Sequence, residues 1–180
     1  MNDYWQRLKN ALGSVDDFAI EALTGKVADA RSSGVRLWLI GNGGSATTAD
    51  HFATDLLRCT DINGAPVRAT SLCSNQGVIT ATANDFEYQH VFTRQLQTFA
   101  SAGDVLVSIS ASGNSPNIVD AVKWSKAHSI FTVALTGFDG GTLRTLADLS
   151  VHVASAVGDY GVVEDIHLSI CHVVAENLRI

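Results

Sequence analysis

Two short loops and two histidine/carboxylate sets carry most of the chemistry that this sequence offers. Gly41-Asn42-Gly43-Gly44-Ser45 and Ser110-Ala111-Ser112-Gly113-Asn114-Ser115-Pro116 are small and polar. Glycines let backbone N–H groups approach a ligand closely, and the hydroxyls of Ser110, Ser112 and Ser115 add donors. Where such a loop opens a helix, the positive end of the helix dipole favours an anion, so a phosphate fits without any lysine. His51 and Asp55 stand four residues apart, on one face of a helix that begins just after the first loop. Near the C-terminus come Glu164, Asp165, His167 and His172. Asp165 and His172, seven apart, share a helix face, while Glu164 and His172 are offset by about 80°. Histidines beside carboxylates transfer protons or hold a metal, and the residues by themselves leave both open. His90, His128 and His152 read as ordinary surface or core-edge histidines.

The elements that must position these residues alternate. From Asn2 to about Ser33, apolar residues recur at intervals near three and four around Gly13-Ser14, which predicts two helices or one interrupted helix. Val35 to Ile40 is a short apolar run that leads directly into the glycine loop, the pattern of a buried parallel strand. A helix is predicted from Ala46 to about Leu57, a strand over Val67 to Leu72, a helix over Phe86 to Ala100 and a strand over Val105 to Ser110. After the serine loop follow a helix from about Asn117 to His128, a strand over Phe131 to Thr136 and a short helix from Gly140-Gly141 to Ala147. A strand over Leu149 to Val153 and a closing helix over Val162 to Leu178 complete the series. Strands alternating with helices predict an α/β fold with a parallel sheet covered on both faces. Ligands then bind at the carboxyl ends of the strands, where both loops fall.

Composition narrows the function. The 180 residues suit one domain, residues 1–180, with no internal repeat. A formal net charge of −6 argues against nucleic acid and anionic lipid as partners. No basic cap precedes an apolar run at the N-terminus and no apolar stretch is long enough to cross a membrane, so cytoplasmic residence is expected. Cys59, Cys73 and Cys171 are odd in number and lack C-x-x-C spacing, and each reads as a small buried hydrophobe. The first loop approximates a dinucleotide fingerprint, Gly41-x-Gly43-x-x-Ala46, but the second strand ends Ser71-Leu72-Cys73-Ser74 without the acid that holds a ribose. No Gly-Lys-Ser/Thr run is present either, so no nucleotide cofactor is expected.

Together with Ala83-Asn84-Asp85, Leu135-Thr136-Gly137-Phe138-Asp139-Gly140-Gly141 and Glu164-Asp165-Ile166-His167, these motifs make the sequence resemble the phosphoheptose isomerase family, built on a sugar isomerase (SIS) domain. The resemblance runs over nearly the whole chain in matching order. It implies a three-layer flavodoxin-like fold with a five-stranded parallel sheet, and an extra N-terminal helical segment, residues 1–33, in contacts of a homotetramer with sites at subunit interfaces. It implies conversion of sedoheptulose 7-phosphate to D-glycero-D-manno-heptose 7-phosphate through an enediol(ate), as in heptose biosynthesis. Asp55 matches the family's catalytic glutamate and His172 its catalytic histidine, with Glu164 a second candidate for the base. Asn42, Gly43, Gly44, Ser45, Asn84, Asp85, Ser110, Ala111, Ser112 and Ser115 match sugar- and phosphate-binding positions. In members that carry zinc, the matching ligands are His51, Asp55, Glu164 and His172, so one divalent metal per subunit is the cofactor expectation. The sequence departs from the family at Asp55 for glutamate, at Glu164 for glutamine and at Ala111 for threonine. These departures keep two alternatives in view: an isomerase for another sugar phosphate, and a non-catalytic SIS-domain binding protein such as a regulator that binds the replication initiator DnaA.

Overall fold

Strands that are apolar on both faces need cover on both, and the arrangement of this chain supplies it. The computed structural model describes residues 3–60 and 66–179, apart from the side chains of Cys59 and Thr60. Strands β1 (Arg36–Gly41), β2 (Arg68–Ser71), β3 (Val105–Ser110), β4 (Phe131–Thr136) and β5 (Leu149–His152) form one sheet in the order β2-β1-β3-β4-β5. Every neighbouring pair is parallel, with Leu37 opposite Val105 and Ile109 opposite Leu135. Alternate residues of β1 serve different cores: Leu37 and Leu39 pack with Val107 and Leu135, whereas Trp38 and Ile40 pack with Leu106 and Ala134. The first core is closed by α1 (Tyr4–Leu12), α2 (Asp17–Ser33), α3 (Gly44–Thr60) and α8 (Tyr160–Asn177). The second lies under α4 (Gln76–Phe86), α5 (Thr93–Phe99), α6 (Pro116–Ala127) and α7 (Leu143–Leu146). Each fully buried leucine, such as Leu23 or Leu106, contributes on the order of 1.5–3 kcal/mol by leaving water.

The three-layer α/β expectation holds, with differences that have local causes. The N-terminal segment is two helices, and α2 is no appendage: Leu23, Val27 and Ala30 are buried in the chain's own core. The helix expected over 86–100 is instead three pieces. Asn75 caps α4 by accepting a hydrogen bond from the Val78 N–H, so helix begins ten residues earlier than expected. It stops because Glu87 takes φ 84°, ψ 145°, after which come a 3-10 turn over Tyr88–His90 and then α5. Cys171 is buried as expected, Cys73 is half-buried, and the expectation for Cys59 lies outside the described residues.

One buried acid locks the sheet beneath the site. Asp104 is 4% exposed, and its carboxylate accepts from the Arg36 N–H, the Ser101 N–H and the Trp38 indole, each at 2.9 Å. It thereby ties the start of β1 to the start of β3. The opposite, carboxyl ends of these two strands form the crevice where the strand order reverses, the position at which open α/β sheets bind ligands.

Candidate active site

The two polar loops meet in that crevice. The turn after β1 is so tight that a Cβ on Gly41 would stand 2.4 Å from the Ser45 carbonyl oxygen, so only glycine fits. Gly113 turns the second loop at φ 64°, and a Cβ there would strike the Gly140 carbonyl. The result is a pocket of about 120 Å³ between Asn42, Ser45, Ser110, Ala111, Ser112 and Ser115, with Tyr160 and Glu164 of α8 on the far side. That is the space of roughly four water molecules, suited to the charged end of a ligand. Its donors are well placed for an anion: the N-termini of α3 and α6 converge on it, and Ser115, at the N-cap position of α6, makes no capping bond with its own hydroxyl. Among the described residues, no lysine or arginine lines it.

A second group forms farther along the helices. His51 and Asp55 on α3 meet His172 on α8, as the helical spacing predicts for the first pair. The Nε2 atoms of His51 and His172 are 3.0 Å apart, and Asp55 Oδ2 is 3.2 Å from the first and 3.6 Å from the second. Asp55 is the sheltered member, with 18% of its side chain exposed against 49% and 48% for the histidines. A space of about 270 Å³ beside Asp55 and His172 continues to Glu176 and Arg179.

The four residues of α8 singled out in the sequence, Glu164, Asp165, His167 and His172, have separate fates, set by its 3.6-residue repeat. Glu164 reaches the loop pocket, and a Cβ on Gly44 would touch its carboxylate at 2.4 Å. Asp165 accepts a 2.6 Å hydrogen bond from the Tyr4 hydroxyl, which holds α1 against α8 and pushes the Tyr4 pKa up to about 12. Arg7 adds an ion pair with Asp159 at the head of α8. His167 is fully buried, and burial pushes its pKa down to about 4. Neither of its ring nitrogens has a hydrogen-bond partner among the described residues; the Thr136 backbone comes near without reaching bonding geometry. His172 alone joins His51 and Asp55.

Of the residues singled out in the sequence, Asn42, Ser45, Ser110, Ala111, Ser112, Ser115 and Glu164 therefore share one pocket, and His51, Asp55 and His172 one cluster. Gly43 and Gly44 shape the entry to α3. Asn84 and Asp85 do not line the pocket; they lie exposed at the end of α4, bonded to each other at 2.8 Å. Glu164 stands apart from the His/Asp/His cluster. Sequence reasoning missed Tyr160 in the pocket wall, and Asn117 and Tyr88, which both bond to Asn42. Asn117 follows the Ser115-Pro116 helix start, a place where a polar residue faces the loop before it, but nothing in the local sequence marks Tyr88.

A flavodoxin-like sheet with a polar loop pocket at its switch point defines a SIS-type domain, and the SIS domain family model matches residues 2–137. Similar proteins extend the match past that point into α8. A probable phosphoheptose isomerase of Thermoplasma acidophilum is 38% identical over 155 residues, covering 86% of this chain and 84% of that one. The phosphoheptose isomerase of Chlorobaculum parvum is 36% identical over 175 residues, covering 96% and 83%. Among solved structures, phosphoheptose isomerase from Neisseria gonorrhoeae superposes with a TM-score of 0.86 at 28% identity, covering 96% of this chain and 91% of that one. The chain belongs to the phosphoheptose isomerase family.

Proposed function

We propose that the protein isomerises sedoheptulose 7-phosphate to D-glycero-D-manno-heptose 7-phosphate, with the phosphate in the loop pocket and proton transfer at Asp55 and His172. The observation that carries this reading is that the pocket and the cluster lie on the same two helices, one behind the other. Glu164 and His172 are eight residues apart, or about 12 Å of helix, and Ser45 and His51 six residues, or about 9 Å. An open-chain sugar of six or seven carbons, tied down by its phosphate, brings its carbonyl end to the cluster; a triose phosphate stops short of it. Aldose–ketose isomerisation needs a base at the carbon beside the carbonyl and an acid at the oxygen. Asp55, sheltered and acceptor-only when ionised, suits the first role, and His172, which can carry a proton on Nε2, suits the second. Glu164, set in the phosphate pocket, serves in substrate contact on this reading.

The cluster also suits a divalent cation. In a tetrahedral zinc site with bonds of about 2.0–2.1 Å, ligand atoms stand about 3.3 Å from one another. The distances among His51, Asp55 and His172, 3.0, 3.2 and 3.6 Å, bracket that value and leave a fourth corner for substrate. These three residues would hold the ion in place of the acid proton on His172 Nε2, and when bound the ion would polarise a carbonyl oxygen itself. The assembly is a homotetramer on this reading, supported by the exposure of Trp5 and Phe18, 76% and 80%, and by the groove between α2 and α8 that Leu12 and Val173 line. No helix among the described residues is long and apolar enough to cross a membrane, which suits a cytoplasmic enzyme.

The test is incubation with sedoheptulose 7-phosphate in deuterium oxide, followed by NMR. Deuterated heptose 7-phosphate is expected. Absence of exchange at the carbon beside the carbonyl, across a panel of sugar phosphates that nevertheless bind, would leave a binding protein in place of an isomerase. Light scattering tests the tetramer, and a clean monomer contradicts it.

A further inference from the structure

The segment between α4 and α5 holds a backbone outlier next to the pocket. Glu87, at φ 84° and ψ 145°, sits at the border of a region that is essentially glycine's alone, at a cost of about 1–3 kcal/mol. Such a conformation persists only where its surroundings hold it, and here they do on both sides. Before it, Arg94 lies over the Phe86 ring at 3.6 Å; after it, Gln89 bonds to Asp120 of α6 at 2.5 Å, and Val91 and Phe92 are buried. What the outlier aims is Tyr88. Its hydroxyl, at the start of the 3-10 turn, donates to Asn42 Oδ1 at 2.9 Å across 46 positions of chain.

Asn42 is the first polar residue of the glycine loop and lines the anion pocket. Its carboxamide is paired with that of Asn117, which is 2% exposed: Asn42 Nδ2 donates to Asn117 Oδ1, and Asn117 Nδ2 donates back to Asn42 Oδ1, both at 2.9 Å. Taken alone, a reciprocal amide pair is degenerate, since turning both groups over restores the same two bonds. The phenol adds a third bond to Asn42, and because a tyrosine hydroxyl can donate or accept, it holds the carboxamide in place in either sense; an anion in the pocket then selects the sense in which Oδ1 faces Tyr88. With Oδ1 accepting twice and one N–H spent on Asn117, what Asn42 has left for the pocket is its second N–H, a donor. An anion requires that sense of the amide.

We infer that Tyr88, aimed by the strained Glu87, is a positioning residue for substrate: it holds the Asn42 carboxamide where its free N–H can serve the phosphate pocket. This rests on the proposal that the pocket takes the substrate's phosphate. Tyr88 acts through Asn42 and takes no part in proton transfer, so its effect falls on binding.

The experiment compares wild type, Y88F, N42A and the double variant in the full-length protein, measuring KM and kcat for isomerisation and inhibition by inorganic phosphate. Tyr88 is half-exposed, so loss of one hydroxyl leaves the fold intact, and an unchanged melting temperature verifies this. Y88F is expected to raise KM and the phosphate inhibition constant together by roughly fivefold, the worth of one neutral hydrogen bond, with kcat within about twofold. In the N42A background the same change is expected to do nothing further, since the two residues act as one unit. An unchanged KM in Y88F, or an equal rise with and without Asn42, overturns the assignment while leaving phosphate binding in place. Wild type that phosphate does not inhibit, although it turns over sugar phosphate, removes the pocket reading and this assignment with it.

Discussion

The loop pocket and the His/Asp/His cluster are built in opposite ways. The pocket lies at the carboxyl ends of β1 and β3 and is made of backbone, short hydroxyls and the half-buried Asn42 amide, with Ser45 and Ser110 each 5% exposed. Its shape is set by the sheet, so it is complete before any ligand arrives. The cluster lies about two helical turns away, on side chains of α3 and α8 whose histidines are half open to solvent. It is organised as three donors around an open corner, which on the proposed reading substrate or a cation fills. A fixed grip joined to an unfinished reactive end is how binding energy at a remote phosphate is used to orient a reacting carbon.

The sharpest way to break this division is to exchange each region's acid for its amide. D55N is expected to lower kcat by about 10²–10⁴-fold with KM changed little, because on the proposed reading it removes the proton-transfer group. E164Q is expected to act on KM instead, since Glu164 faces the phosphate loop. If E164Q proves the variant that loses kcat, the chemistry belongs to the pocket and the comparison is reversed. On the binding side, S115A is expected to raise KM and the inhibition constant for phosphate by about tenfold, since a hydrogen bond to a charged group is worth roughly 1.5–3 kcal/mol. A fall in kcat of the same size would mean that the grip also does chemistry.

The two regions differ in how far the sequence announces them. The pocket is legible because glycine, serine and a preceding apolar strand each have a local reason to be there: Gly41 and Gly113 sit where no Cβ fits, and the loops open helices. The cluster is half legible, since the His51/Asp55 spacing follows from one helix. Which residue of α8 completes it does not, because that depends on how α8 is rotated against α3. His167, fully buried, and Asp165, bonded to Tyr4, fix that rotation, and so Glu164 goes to the pocket while His172 goes to the cluster. The segment over 73–90 is illegible for another reason. Its helix breaks at Glu87, a residue type with no preference for positive φ, and only tertiary contacts put it there.

Both regions hang on α8, so its anchor offers a third test. His167 is neutral in the folded protein, with its pKa depressed by burial to about 4 from 6.5. Below pH 6.5 the unfolded chain takes up a proton that the folded chain refuses, so this residue's effect on stability is absent above that pH and grows unfavourable as pH falls towards 4. H167L is expected to become more stable relative to wild type by about 1.4 kcal/mol per pH unit across that window, read from urea unfolding at pH 7, 6 and 5. Parallel curves would show that His167 is charged or solvated in the fold. If α8 is held as described, phosphate inhibition and kcat, which on the proposed reading report the pocket and the cluster, are retained together in H167L; loss of one alone would show that the regions do not share a single anchor.

The smallest expected effect concerns the strain beside the pocket. E87G allows the same φ and ψ at little steric cost, so it is expected to raise stability by about 1 kcal/mol, less than the full relief because glycine also gains freedom in the unfolded chain. KM is expected to stay within about twofold, since Tyr88 keeps its aim through the Gln89–Asp120 bond and the buried Val91 and Phe92. A loss of stability in E87G would mean that Glu87 is not strained and that its side chain holds the turn. A rise in KM with stability gained would mean that the anchors are too weak to aim Tyr88 and that the stiffness of a non-glycine residue is what completes the grip. The fixed region would then owe part of its rigidity to a residue that does not line it.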